Sequence, residues 1–152
     1  MHADADYAWA AGFLDGEGTL RIAPNGNTFI ARISAPNTDP RPLYRLQEMF
    51  GGVVKLSKRG SKFSDKWRDV YRYRTHAQGL LEMVVALRPY FLVKDKHADI
   101  MIQFLSLPER TPKNRPYTDE EFTVRFKLML EINDLNKRGR ISADEAEEEE
   151  EI

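Results

Sequence analysis

The chain opens on a helical pattern and then changes period. Trp9, Phe13 and Leu14 fall at helical spacing and make one bulky face, while Ala8, Ala11, Gly12 and Asp15 fall on another. Asp4 or Asp6 is placed to cap this helix, and Gly16 and Gly18 stop it. From Thr19 the period is two. Leu20 and Ile22 share a face, Pro24-Asn-Gly-Asn27 supplies a turn, and Phe29, Ala31 and Ile33 form the core side of the return strand. Thr28, Arg32 and Ser34 point outward, with Ile30 among them. Asp39 and Pro40 predict a helix start, and that helix ends at Gly51-Gly52. A second hairpin is expected from Val53 to Arg59 and from Trp67 to Arg74, around a polar, basic loop. Val54 and Leu56 point one way, Lys55, Ser57 and Arg59 the other. On the returning strand Trp67, Asp69, Tyr71 and Tyr73 oppose Arg68, Val70, Arg72 and Arg74.

Helices dominate the rest. Thr75-His-Ala-Gln78 reads as a capping box before Leu80, Leu81, Met83, Val84 and Leu87. A further helical run spans Tyr90 to Leu105, a Pro/Arg/Lys-rich linker follows, and Thr118-Asp-Glu-Glu121 is a second capping box opening a helix to Gly139. The order helix, hairpin, helix, hairpin, helices predicts an α+β fold: a four-stranded antiparallel sheet with helices on one face, plus C-terminal helices.

Composition narrows the chemistry. The 152 residues include no cysteine, which excludes disulfides, thiolate zinc sites and cysteine nucleophiles. His2, His76 and His97 are scattered, so spacing gives no histidine metal site. No apolar run approaches the roughly 20 residues of a membrane span, and the acidic N-terminus has no secretory pattern, so an intracellular protein is expected: cytoplasmic, of bacterial, archaeal or phage context, or organellar. The net charge of −1 hides an asymmetry. Residues 141–152 hold seven acids and no Lys or Arg, leaving 23 basic against 17 acidic residues in 1–140. We therefore expect one domain over 1–140 and a like-charge, unstructured tail over 141–152.

Two features suggest partners. Asp15 and Glu17 stand at a helix C-terminus, where acids are unfavourable by roughly 0.3–1 kcal/mol each. A bound divalent cation would compensate them, and two copies packed along the small faces would bring two acidic ends together. A core helix with a glycine cap and two solvated acids explains the same residues. The outward sheet face is rich in Arg and Lys. Arg21, Asn25, Asn27, Thr28, Arg32, Ser34, Lys55, Ser57, Arg59, Lys62, Lys66, Arg68, Arg72 and Arg74 are candidates for contacting a duplex. A merely soluble sheet face is the plainer alternative.

Ala10-Ala-Gly-Phe-Leu-Asp-Gly-Glu-Gly18 resembles the motif of the LAGLIDADG homing endonucleases. Asn37-Thr-Asp39, Phe50-Gly-Gly52, Pro89-Tyr-Phe-Leu-Val-Lys-Asp-Lys-His-Ala98 and Leu135-Asn-Lys-Arg138 are similar to other regions of the single-motif members. The resemblance implies an αββαββα core with a saddle-shaped DNA-binding face. One motif copy implies a homodimer joined through the motif helix, with Ala8, Ala11, Gly12 and Asp15 at the interface. It implies Mg²⁺ (or Mn²⁺) bound by Glu17 and the Gly16 carbonyl, Lys94 near the scissile phosphate, and Lys96 as a further DNA contact. A polar site residue at the end of the second strand falls on Ala35 or Asn37. The implied activity is a double-strand break at a long pseudo-palindromic site in double-stranded DNA, in the service of intron or intein mobility. A LAGLIDADG-derived regulator or intron RNA maturase that binds without cutting is the alternative, and a protein-interaction domain using the small-faced helix as a seam is a third.

Overall fold

The computed structural model describes residues 2–57 and 69–150, with 138–150 described by backbone alone. Among the described residues, five α-helices and four strands occur in the order α1 (Asp4–Glu17), β1 (Thr19–Asn25), β2 (Thr28–Asn37), α2 (Arg41–Phe50), β3 (Val53–Ser57), β4 (Val70–Arg74), α3 (Leu80–Leu87), α4 (Asp95–Leu105) and α5 (Asp119–Glu150). The strands form one antiparallel sheet in the order β1-β2-β4-β3, which makes the fold α+β. Among the described residues no helix is long and apolar enough to cross a membrane.

Alternation decides which face is covered. Leu20 and Ile22 of β1, Ala31, Ile33 and Ala35 of β2, and Tyr73 of β4 are buried beneath the helices. Ala10, Ala11 and Leu14 of α1, Leu43 and Leu46 of α2, and Met83, Val84 and Leu87 of α3 meet them. So do Ala98 and Met101 of α4 and Ile132 of α5. Each fully buried leucine or isoleucine contributes about 1.5–3 kcal/mol. Among the described residues no helix covers the other sheet face, so the residues of odd number in β1 and of even number in β2 lie outside the core.

Local chemistry fixes the ends. Gly26 (φ +60°) and Asn27 form the two-residue turn of the first hairpin. At Gly52 (φ +106°) a β-carbon would lie 2.6 Å from the Arg74 carbonyl, so only glycine lets β3 leave α2 there. The box before α5 is reciprocal: Glu121 N–H donates to Thr118 Oγ1 (3.2 Å) and Thr118 N–H to Glu121 Oε1 (2.9 Å).

Three expected caps are corrected. Neither Asp4 nor Asp6 is the N-cap of α1; Ala3 is, and Asp6 accepts the Ala3 N–H from inside the first turn. Asp39 caps α2 by accepting the Arg41 N–H (3.0 Å), with Pro40 rather than Asp39 at the N-cap position. Thr75 opens no capping box. Its hydroxyl accepts the Ile33 N–H (3.1 Å) and its N–H donates to the Ile33 carbonyl (3.0 Å), so it prolongs the β2–β4 ladder. Helix α3 starts instead after left-handed Gly79. At the other end, α5 runs through Glu150.

Candidate functional site

Helix α1 delivers its last turn to the start of β1. Gly18 N–H donates to the Leu14 carbonyl, and a β-carbon on Gly18 would collide with Leu14 at 2.8 Å, so glycine is required at this junction. The negative helix end finds compensation within the chain. Lys94 Nζ donates to the Asp15 carbonyl at 2.6 Å, and the Asp15 carboxylate accepts the backbone N–H groups of Leu92 (2.9 Å), Val93 (3.2 Å) and Lys94 (2.9 Å). Asp15 thus caps the N-terminus of α4 from another helix. Burial pushes the Lys94 ammonium below its ordinary pKa, while the nearby Asp15 and Glu17 carboxylates pull it back up.

Glu17 is left over. Its side chain is exposed and has no hydrogen bond or ion pair among the described residues, and the Gly16 carbonyl accepts no hydrogen bond there either. Both are oxygen donors at a helix end that disfavours unpaired acid. Within the described residues of one chain, no group of three or more His, Asp or Glu side chains stands close enough to hold a metal ion.

The structure redraws the small face of α1. Ala11 is fully buried in its own chain's core, so it is no contact surface. Ala8 and Gly12 are exposed, and the line continues through Ala5 and Gly16. A β-carbon on Gly12 or Gly16 would meet nothing within 4 Å, so nothing inside the chain demands glycine at either position. Leu92 and Val93, whose N–H groups bond to Asp15, expose 85% and 65% of their surface beside this line.

The open sheet face is a concavity of about 660 Å³ whose lining includes Arg21, Asn25, Arg32, Ser34, Lys55, Ser57, Arg72 and Arg74. Among the described residues that line it, none is acidic. Register sets like charges opposite one another: Arg21 faces Arg32 across β1–β2, and Lys55 faces Arg72 across β3–β4. Such pairs are destabilising, by roughly 0.2–1 kcal/mol each. Burial, together with the charges of Arg74 and Arg21, lowers the pKa of Arg32. No ion pair satisfies any of the five cations among the described residues.

Other expected residues lie elsewhere. Asn27 and Thr28 stand at the hairpin tip, where Thr28 Oγ1 donates to the Asn25 carbonyl. Lys96 is outside the groove; it borders α5 with Asp99, Glu131 and Asp134, a largely acidic setting, so the expected duplex contact is not placed with the others. Asn37 Oδ1 accepts the Asp39 N–H (2.9 Å) in the turn before α2, and Ala35 is buried. Arg59, Lys62, Lys66 and Arg68 lie outside the described residues. Two residues join the site that sequence patterns did not place there. His97, one turn beyond Lys94, holds a buried Nδ1 without a hydrogen-bond partner among the described residues. Burial and the charge of Lys94 lower its pKa. Asn136 of α5 donates to the Leu20 carbonyl on the outer edge of β1. The only signal was indirect, the i, i+3 spacing of Lys94 and His97.

No protein-family model matches the chain, and no curated protein matches it by sequence. Solved structures do match in fold. The homing endonuclease I-CvuI, in complex with its target in the presence of Ca, aligns with a TM-score of 0.61 at 19% identity, over 87% of this chain and 82% of that one. The archaeal intron-encoded homing endonuclease I-Vdi141I, complexed with DNA, aligns with a TM-score of 0.67 at 12% identity, over 87% and 84%. The LAGLIDADG meganuclease I-AabMI, bound to uncleaved DNA, aligns with a TM-score of 0.59 at 19% identity; this chain covers 43% of its length.

Proposed function

We propose, from the premise that this chain carries the fold of the LAGLIDADG homing endonucleases, that it is a homodimeric, site-specific DNA endonuclease. One observation carries the reading. The free carboxylate of Glu17 ends the helix that leads directly into a groove beginning at Arg21 whose described lining is cationic and holds no acid. A groove that sets like charges opposite one another is suited to a polyanion, and its neighbour is an acid suited to a hard cation.

The donors present fit Mg²⁺ or Mn²⁺. Glu17 and the Gly16 carbonyl are oxygen ligands with no competing partner among the described residues. They are too few for a complete shell, and a second copy's helix end, phosphate oxygens and water would complete it. When bound, such an ion activates water and neutralises charge on the phosphate. The chain's own residues do the rest. Asp15 holds the turn that carries Lys94, and Lys94 presents a half-buried positive charge beside Glu17. Arg21, Arg32, Lys55, Arg72 and Arg74 hold the duplex against the sheet.

Two copies would join along Ala5, Ala8, Gly12 and Gly16, flanked by the exposed Leu92 and Val93. That arrangement repeats the groove about a two-fold axis and favours a pseudo-palindromic site. The test is a cleavage selection on a randomised palindromic duplex library with Mg²⁺, beside an EDTA control. Metal-dependent double-strand cutting is expected, with Glu17→Gln binding the selected site but not cutting it. Binding without cutting by the unaltered chain would refute the endonuclease and leave a DNA-binding regulator.

A further inference from the structure

Sheet order and register divide the groove into a floor and two rims. β2 and β4 are the inner strands, and β1 and β3 are the edges. One row crosses the whole sheet: Thr19 pairs with Ser34, Ser34 with Arg74, and Arg74 with Val53. Thr19 is two residues from Glu17, so among the rows that include β1 this one lies nearest the acidic helix end; the Pro36, Arg72 and Lys55 row lies one step further on that side. Moving out along β2, the open-face positions are Ser34, Arg32, Ile30 and Thr28, ending at the hairpin tip. Successive open-face positions are about 7 Å apart, because a strand rises about 3.4 Å per residue. DNA rises 3.4 Å per base step. Each step along the floor therefore spans about two base pairs.

The side chains change character along that line. Arg74 and Arg32 come first, close enough for their charges to depress the pKa of Arg32. Arg32 is half-buried in the floor rather than standing at the rim. Ile30 follows, paired across the strand with Ala23, so this row holds no polar side chain. An arginine fork on the floor matches the O6 and N7 acceptors of guanine, and an apolar row matches the methyl of thymine. Rim cations on the edge strands are placed to meet phosphates instead.

We infer that the floor specifies a graded half-site, with guanine nearest the cut, read by Arg74 and Arg32. A thymine follows about two base pairs further out, its methyl against Ile30, while Lys55 and Arg21 hold phosphates at the rims. The inference rests on the DNA-binding reading above and adds the order of bases to it.

The experiment is a binding selection with the full chain on a randomised duplex library, repeated with Arg32→Ala, Ile30→Ser and Lys55→Ala. The expected site has guanine close to the dyad and thymine outside it. Arg32→Ala should relax the base preference on the order of 10- to 100-fold at one guanine position and leave the others intact. Ile30→Ser should relax only the thymine. Lys55→Ala should weaken specific and random duplexes alike and lower the salt dependence of binding by about one ion. A selected site without guanine near the dyad overturns the grading and leaves the endonuclease standing. So does an Arg32→Ala variant that loses affinity uniformly with an unchanged motif. If no duplex is retained above background, the DNA-binding reading and the inference fail together.

Discussion

Replacing Asp15 separates the structural from the chemical work of the motif helix. Its carboxylate accepts three backbone N–H groups at the entrance to α4, two on Oδ1 and one on Oδ2. Loss of an ordinary N-cap costs about 0.5–2 kcal/mol, and hydrogen bonds to a charged acceptor are worth about 1.5–3 kcal/mol each. Two of these three bonds are solvent-exposed, which discounts them. We expect Asp15→Ala to cost about 2–4 kcal/mol, which moves a urea midpoint down by roughly 1–2 M. Asp15→Asn keeps the Oδ1 position that serves Val93 and Lys94 but sets an NH₂ against the Leu92 N–H, so about half that loss is expected. The bond from Lys94 Nζ goes to the Asp15 backbone carbonyl and survives both changes. The assay is equilibrium unfolding at two protein concentrations tenfold apart. The destabilisation should be the same at both, because the bonds are made within one chain. A loss under about 0.5 kcal/mol, or one present only at the lower concentration, would refute the capping role and return Asp15 to the seam.

Three further expectations follow from other parts of the fold. Gly12→Leu meets open space inside the chain, so its monomer should fold with unchanged far-ultraviolet circular dichroism while sedimentation shows the dimer lost; an intact dimer would place the seam elsewhere. Thr75→Val leaves the buried Ile33 N–H without its side-chain acceptor. That should cost about 1–3 kcal/mol by denaturant unfolding, and Thr75→Ser, which keeps the hydroxyl, should recover most of it; a Thr75→Val loss under about 0.5 kcal/mol would refute the rung. The third concerns pH. Hydrogen bonds from Arg115, joined by the Thr118 N–H, hold the Glu121 carboxyl down at about 2 against an ordinary 4.5. A lowered folded-state pKa means the contribution is fully present above pH 4.5 and disappears as pH falls toward 2. Acid unfolding should therefore be less steep in that window for Glu121→Gln than for the unaltered chain, and identical slopes would refute the pairing.

Much of this architecture is legible from the order of side chains because the sheet is half-covered. Leu20, Ile22, Ala31 and Ile33 announce the covered face by alternation, and Arg21 and Arg32 announce the open one. What the sequence hides is long-range. The three bonds to Asp15 join residues separated by 77 to 79 positions, and no local pattern reports them. Ala11 shows a second limit. Helical spacing groups it with Ala8 and Gly12, but a small residue close-packed against its own sheet looks the same as one awaiting a partner. Thr75 shows a third: a hydroxyl one residue past the end of β4 serves equally well as a cap or as a rung, and the N–H of Ile33 decides. Lys94 was found through likeness to a known motif. His97 and Asn136 were not, because their significance depends on α4 and α5 meeting at the first strand.

The alternation of β1 and β2 has a consequence for the history of such a chain. Leu20, Ile22, Ala31, Ile33 and Ala35 of these strands are sealed in the core, and the residues between them face the groove. On the proposed DNA-binding reading, mutation at positions 21, 23, 30, 32 and 34 would rewrite which bases are preferred while the packing of Leu20, Ile22, Ala31 and Ile33 goes unaltered. The acidic helix end belongs to a third, separate set of residues. If the proposed function holds, a lineage carrying this fold can change its address one letter at a time without disturbing its core, which is what a protein tied to a drifting target sequence needs.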